Sequence, residues 1–198
     1  MNLRTLSVVV LLFIATPCSG AISPYESVKS ATDDLLAKLN ELRPAYDTDQ
    51  GHFFSEIDKA LAPFVDFEGF SRGVMAKFYR RATPDQRTAF AERFRELLIQ
   101  TYAKALVEFD NQKVVVREDV KTGRDASRAA VTLDIHGKNG AIYPVEYSLV
   151  LKDDVWKLRN VVINGINIGL QFKSQFGFYM QKHRNDIDSV IEAWRVDG

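Results

Sequence analysis

The sequence predicts an α+β fold, a four-stranded, mostly antiparallel sheet packed against several helices. Three observations predict it. Apolar residues recur at three- and four-residue steps from Val28 to Phe109, alternate from Lys113 to Val162, and return to helical spacing from Ile168. Helices, then strands, then helices is the order of an α+β sandwich, not of a doubly wound α/β domain, whose strands and helices alternate. No internal repeat or low-complexity linker interrupts the chain, so residues 22–198 are expected to form one domain with its own core.

The first 21 residues read as an export signal. Arg4 precedes an apolar run from Leu6 to Ala15, and Ser19-Gly20-Ala21 supplies the small residues a signal peptidase requires. The run breaks at Thr16-Pro17, short of the roughly 20 apolar residues that span a bilayer. Cys18 invites a lipid-anchor reading, but Pro17 before it disfavours that cleavage. Cutting near Ala21 removes the single cysteine and leaves a chain that cannot form a disulfide.

Ser23-Pro24-Tyr25-Glu26 carries a capping serine, proline at the first helical position and a box-closing glutamate. Val28, Ala31, Leu35, Leu39 and Leu42 then form the stripe of an ordinary surface helix that Pro44 stops. His52 to Leu61 reads as a second, short helix. Phe67 to Tyr79 reads as a third, unusually apolar one, weakened by Gly69 and Gly73. Thr83-Pro84-Asp85-Gln86 opens a long helix whose stripe is Phe90, Phe94, Leu97, Leu98, Tyr102, Ala105 and Phe109.

Four strands follow. They are Lys113–Arg117, the segment with Val131, Leu133 and Ile135 on one face, the segment with Val145, Tyr147, Leu149 and Leu151 on one face, and the segment with Trp156, Leu158 and Val162 on one face. The charged turn Lys152-Asp153-Asp154 joins the last two into a meander. Terminal helices are expected from the stripes Ile168, Phe172, Phe176, Met180 and Ile187, Ile191, Trp194.

Several kinds of chemistry lack their residues. His52, His136 and His183 lie on different elements, so no pair presents two imidazoles on one helix face to a metal. Asp47-Thr48-Asp49-Gln50-Gly51 departs from a calcium loop in the position of its glycine and lacks the closing glutamate. There is no G-x-S-x-G elbow and no glycine-rich phosphate loop. Removing Arg4 leaves 25 basic against 26 acidic residues, a balance without the field that nucleic acid requires. A small-molecule enzyme using a buried carboxylate, Asp134 or Glu146, remains a rival, as does an envelope chaperone with a protein-binding groove.

The chain holds 13 Phe, 7 Tyr and 2 Trp, concentrated on the helix stripes. A tight core and an apolar cavity both use such residues, and composition does not choose between them.

Two segments resemble the MlaC or toluene-tolerance family of periplasmic phospholipid-binding proteins. The first runs Phe67-Glu68-Gly69-Phe70-Ser71-Arg72-Gly73-Val74-Met75-Ala76-Lys77-Phe78-Tyr79-Arg80, then Ala82-Thr83-Pro84-Asp85-Gln86-Arg87 and Phe90 to Tyr102 as Phe-x-x-x-Phe-x-x-Leu-Leu-x-x-Thr-Tyr. The second is Val161-Val162-Ile163-Asn164-Gly165-Ile166-Asn167-Ile168, followed by Phe172-Lys173-Ser174-Gln175-Phe176. The family pattern has Leu-Gly at Met75-Ala76, often Trp at Tyr79, Ser at Asn167 and Arg at Lys173.

The resemblance implies a non-enzymatic periplasmic shuttle, expected as a monomer. It would carry phospholipid as cargo, with no cofactor and no metal, between an outer-membrane lipoprotein complex and an inner-membrane ABC transporter complex, maintaining outer-membrane lipid asymmetry. It also implies an apolar pocket between sheet and helices. Lining residues are expected from the sheet, Val131, Leu133, Val145, Tyr147, Leu149, Trp156 and Val162, and from the helices and their approaches, Phe70, Met75, Phe94, Leu98, Tyr102, Ile166 and Phe172. Arg80, Arg81 and Lys173 are candidates to meet a phosphate, although exposed basic residues are ordinarily solvated surface.

Overall fold

The computed structural model describes residues 22–108 and 113–195. The export signal and Phe109 of the long helix stripe lie outside these residues. Both predicted capping boxes form. At α1 (Pro24–Leu42) the Ser23 hydroxyl accepts from the Glu26 N–H at 3.2 Å, and the Glu26 carboxylate accepts from the Ser23 N–H at 3.1 Å. At α4 (Pro84–Glu108) Thr83 and Gln86 exchange the same pair of bonds, at 3.2 and 3.0 Å.

Between them lie α2 (Gln50–Leu61), capped by Asp49, and α3 (Phe67–Met75), capped by Asp66. The predicted helix to Tyr79 ends early, at Met75. Ala76 turns into the left-handed region at φ 49°, which no α-helix continues through, and a 3₁₀ turn over Ala76–Phe78 follows. Glycine takes this conformation without strain, and glycine is what the family pattern places there.

Among the described residues the sheet has six strands where four were expected. The four are β1 (Val114–Val116), β3 (Arg128–His136), β4 (Ile142–Lys152) and β5 (Val155–Ile163). The additional pair, β2 (Lys121–Thr122) and β6 (Ile166–Asn167), are two residues each, too short to show a period. All pairings between strands are antiparallel, in the order β1-β3-β4-β5-β6, with β2 beside β1 on the same edge of β3. Asp153 and Asp154, at φ 50° and 60°, make the tight β4–β5 turn that matches strand twist.

One prediction about facing fails in β5. Ser148 pairs with Asn160 but Leu149 pairs with Leu158, so Arg159 is an unpaired extra residue. This bulge advances the alternation by one. Val161, opposite Tyr147, takes the face of Trp156 and Leu158, and Val162, opposite Glu146, turns to the other.

Beyond β6 come α5 (Ile168–Lys182), capped by Asn167, and α6 (Ile187–Ala193), capped by Asp186. The helices divide into two groups. α1 lies on the sheet against β1 and β3 and packs on α2, whereas α3, α4, α5 and α6 pack on one another and meet the sheet at β5. Leu158 accepts from the Asp66 N–H at 2.9 Å and donates to the Phe64 carbonyl at 2.8 Å, so the α2–α3 link covers part of the β5 edge.

Candidate functional site

Residues that alternate along the strands place one apolar face under α1. Ala129, Val131, Leu149, Trp156 and Leu158 form its closed end together with Val28 of α1. Farther along, a gap opens between part of the sheet and the helix. A cavity of about 130 Å³ opens between Leu133, Ile135, Val145 and Tyr147 on the sheet and Ala31, Leu35, Leu36 and Leu39 on α1, with Ala60 and Leu61 from the end of α2 and Phe64 from the link beyond it. Small side chains at Ala31 and Ala60 leave the space that longer ones would fill.

The face continues outward from the cavity. Tyr143 and Ile163, cross-strand partners of the lining residues Ile135 and Val145, are each 38% exposed and form an apolar rim. Among the described residues, no charged one lines the cavity, and two side chains bring polar groups to its lining: Thr32, whose hydroxyl donates to the Val28 carbonyl at 2.7 Å, and Tyr147. Burial pushes the Tyr147 phenol above the ordinary tyrosine range.

Of the residues expected to line a pocket, the structure brings Leu133, Val145 and Tyr147 to this cavity. Val131, Leu149 and Trp156 are buried in the adjoining sheet core, and Val162 faces the opposite side of the sheet because of the bulge. Phe70, Met75, Phe94 and Phe172 are buried in a separate core among α3, α4, α5 and α6, with Leu98 and Tyr102 packed on it half-buried. Ile166 is 59% exposed. Arg80, Arg81 and Lys173 are exposed on the helical half, away from the cavity.

Residues of α1 and α2 were not anticipated as lining. Their stripe reads as that of a surface helix, and the only hint of more is the pairing of alanines with leucines along it. The candidate general bases lie elsewhere. Asp134 alternates onto the face opposite Leu133 and accepts two hydrogen bonds from the Arg117 guanidinium, at 2.7 and 2.8 Å, which hold its carboxyl below the usual range. Glu146 pairs with Lys121 at 2.9 Å on that same face. A base at the cavity would need the contrary, a buried carboxyl with a raised pKa.

Among the described residues no group of three or more His, Cys, Asp and Glu is placed to hold a metal, and no helix is long and apolar enough to cross a membrane.

The family model for the MlaC protein matches residues 29–196. The toluene tolerance protein ttg2D of Pseudomonas putida is 39% identical over 176 residues, spanning 88% of this chain and 81% of that protein. The intermembrane phospholipid transport system binding protein MlaC of Haemophilus influenzae is 26% identical over 168 residues, spanning 82% of this chain and 78% of its own length. Among solved structures, the phospholipid-binding protein from Ralstonia solanacearum, in complex with a phospholipid, superposes with a TM-score of 0.76 at 27% identity, over 86% of this chain and 94% of the other.

Proposed function

The chain belongs to the MlaC family, and on that premise we propose that it binds phospholipid and carries it between membranes across the periplasm. The observation that carries this reading is the uncharged, largely apolar cavity between α1 and the sheet, open at an apolar rim. The cargo is the lipid itself, and no catalytic step is involved. The protein works as a monomer after removal of residues 1–21, receiving lipid from one membrane complex and delivering it to the other.

The energetics set what such a carrier must do. Each buried methylene is worth about 0.8 kcal/mol, so two chains of some 16 carbons face a cost of roughly 25 kcal/mol in water. Walls of Leu, Ile, Val and Phe remove that cost, while the charged head group stays hydrated outside the rim. Loading and release then approach a balanced exchange with a bilayer or a partner's own apolar channel.

A void of about 130 Å³ is near the size that accepts one benzene ring, well below the roughly 300–1,000 Å³ of sites for larger ligands. Loading therefore requires α1 to lift from the sheet. Among the described residues no hydrogen bond or ion pair joins α1 to a strand, and the contact is apolar throughout. Separation there exposes hydrocarbon, which the lipid chains at once cover.

The test is organic extraction and native mass spectrometry of protein purified from a bacterial host. Phospholipid at about one molecule per chain is expected, and Leu133→Glu should abolish it by placing a charge on the cavity wall. Protein that folds yet carries no lipid, and takes up none from vesicles, would refute the proposal.

A further inference from the structure

Two polar groups of this protein differ in what surrounds them. The buried Trp194 Nε1, which has no hydrogen-bond partner among the described residues, belongs to a ring packed against those of Phe90, Phe94, Phe176 and Tyr179. The Tyr147 hydroxyl, in contrast, belongs to a residue that lines the cavity. Its ring is held by Phe64, 6.2 Å away between centroids, and by its strand neighbours Val131 and Val161. No hydrogen bond joins that hydroxyl to another described residue, and desolvation holds it in the neutral, donating form. A phenylalanine would line the cavity equally well without a donor.

The second polar group of the cavity is already committed, since Thr32 donates to Val28. Among the described residues that line the cavity, Tyr147 therefore supplies the one uncommitted side-chain hydrogen. On β4 it lies four residues inward from the rim residue Tyr143, among side chains without charge. A phosphate so placed would be desolvated without a cation, which is prohibitive. The acceptor on a diacyl lipid that enters farthest without charge is an ester carbonyl, and beyond it the molecule is hydrocarbon.

We propose that the Tyr147 hydroxyl donates a hydrogen bond to an ester carbonyl of the cargo, fixing how deeply the lipid sits and selecting ester-linked acyl chains over ether-linked ones. The proposal rests on the phospholipid-carrier reading. Tyr147 acts as a positioning residue, and no bond is made or broken.

The test compares Tyr147→Phe with the unaltered protein, using dihexadecanoyl phosphatidylglycerol and its dihexadecyl ether analogue as competitors of a pyrene-labelled phosphatidylglycerol. The unaltered protein should prefer the ester lipid, and the phenylalanine variant should lose about 5–10-fold of its affinity for that lipid alone, the scale of one hydrogen bond. The infrared carbonyl stretch of bound ester lipid should also lie at lower wavenumber in the unaltered protein than in the variant. Equal ester-to-ether ratios in both proteins would overturn the anchoring role while leaving the carrier intact. Failure of both proteins to bind either lipid would overturn the carrier reading and this one with it.

Discussion

The helical half and the sheet half of this protein each bury hydrocarbon, to different ends. In the helical half, Phe94 is fully buried, with the rings of Phe70, Phe90, Phe172 and Trp194 between 5.2 and 6.5 Å from its own, two of them edge to face. In the sheet half, Leu133 is equally hidden from solvent but faces a void. Rings locked in such geometries resist displacement, and each pair adds about 0.5–1.5 kcal/mol beyond burial. Aliphatic walls with few partners yield more easily, as a wall must that admits hydrocarbon. The Asp58–Arg95 ion pair, at 2.7 Å, ties α2 to α4 and so holds the slack half to the tight one.

Truncation should show the largest difference. Phe94→Ala is expected to cost about 3–5 kcal/mol, and Leu133→Ala only about 1–2, because the leucine forfeits contacts on one side alone. Urea unfolding measures both, and equal losses would mean that the two cores are packed alike. Enlargement reverses the test. Ala82→Leu, at a position 4% exposed in the helical half, should cost about 1–3 kcal/mol by overpacking. Ala60→Leu should change stability by less than about 0.5 kcal/mol while lowering lipid content, as its added carbons occupy the cavity.

A smaller effect concerns the joint after α3. Ala76→Gly should raise stability by about 1 kcal/mol, since φ 49° strains alanine and not glycine. Thermal melting of the single variant decides it. The least effect is expected from alkali. Burial favours the neutral Tyr147 phenol, so its contribution is complete below about pH 10 and is lost as pH rises through the raised pKa. Melting between pH 9 and 11 should therefore fall less steeply in Tyr147→Phe than in the unaltered protein.

Much of the fold was legible because its signals are local. The capping boxes at Ser23 and Thr83, the change from helical to alternating period after Asp110, and the Asp153-Asp154 turn each lie within a few residues. The errors of detail have equally local causes. Ala76 carries no sign of its left-handed backbone, and two-residue strands such as β2 and β6 have no period to detect.

The candidate site was less legible. Phe94 and Leu133 both read as apolar residues on a regular stripe, and nothing in the spacing says that one meets four rings and the other a void. The bulge at Arg159, which exchanges Val161 for Val162 on the inner face, is set by pairing with β4 and is silent in β5 alone.

By itself, the sequence determined the order of the longer elements, the caps that start α1 and α4, the apolar stripes of the helices, and the family, because these depend on residues close together along the chain. Tertiary structure alone decided which stripes meet. It matched the aromatic helices with one another and set the plain stripe of α1 opposite the sheet, where alanines leave room. A cavity is a property of the distance between two surfaces, and no single segment encodes it.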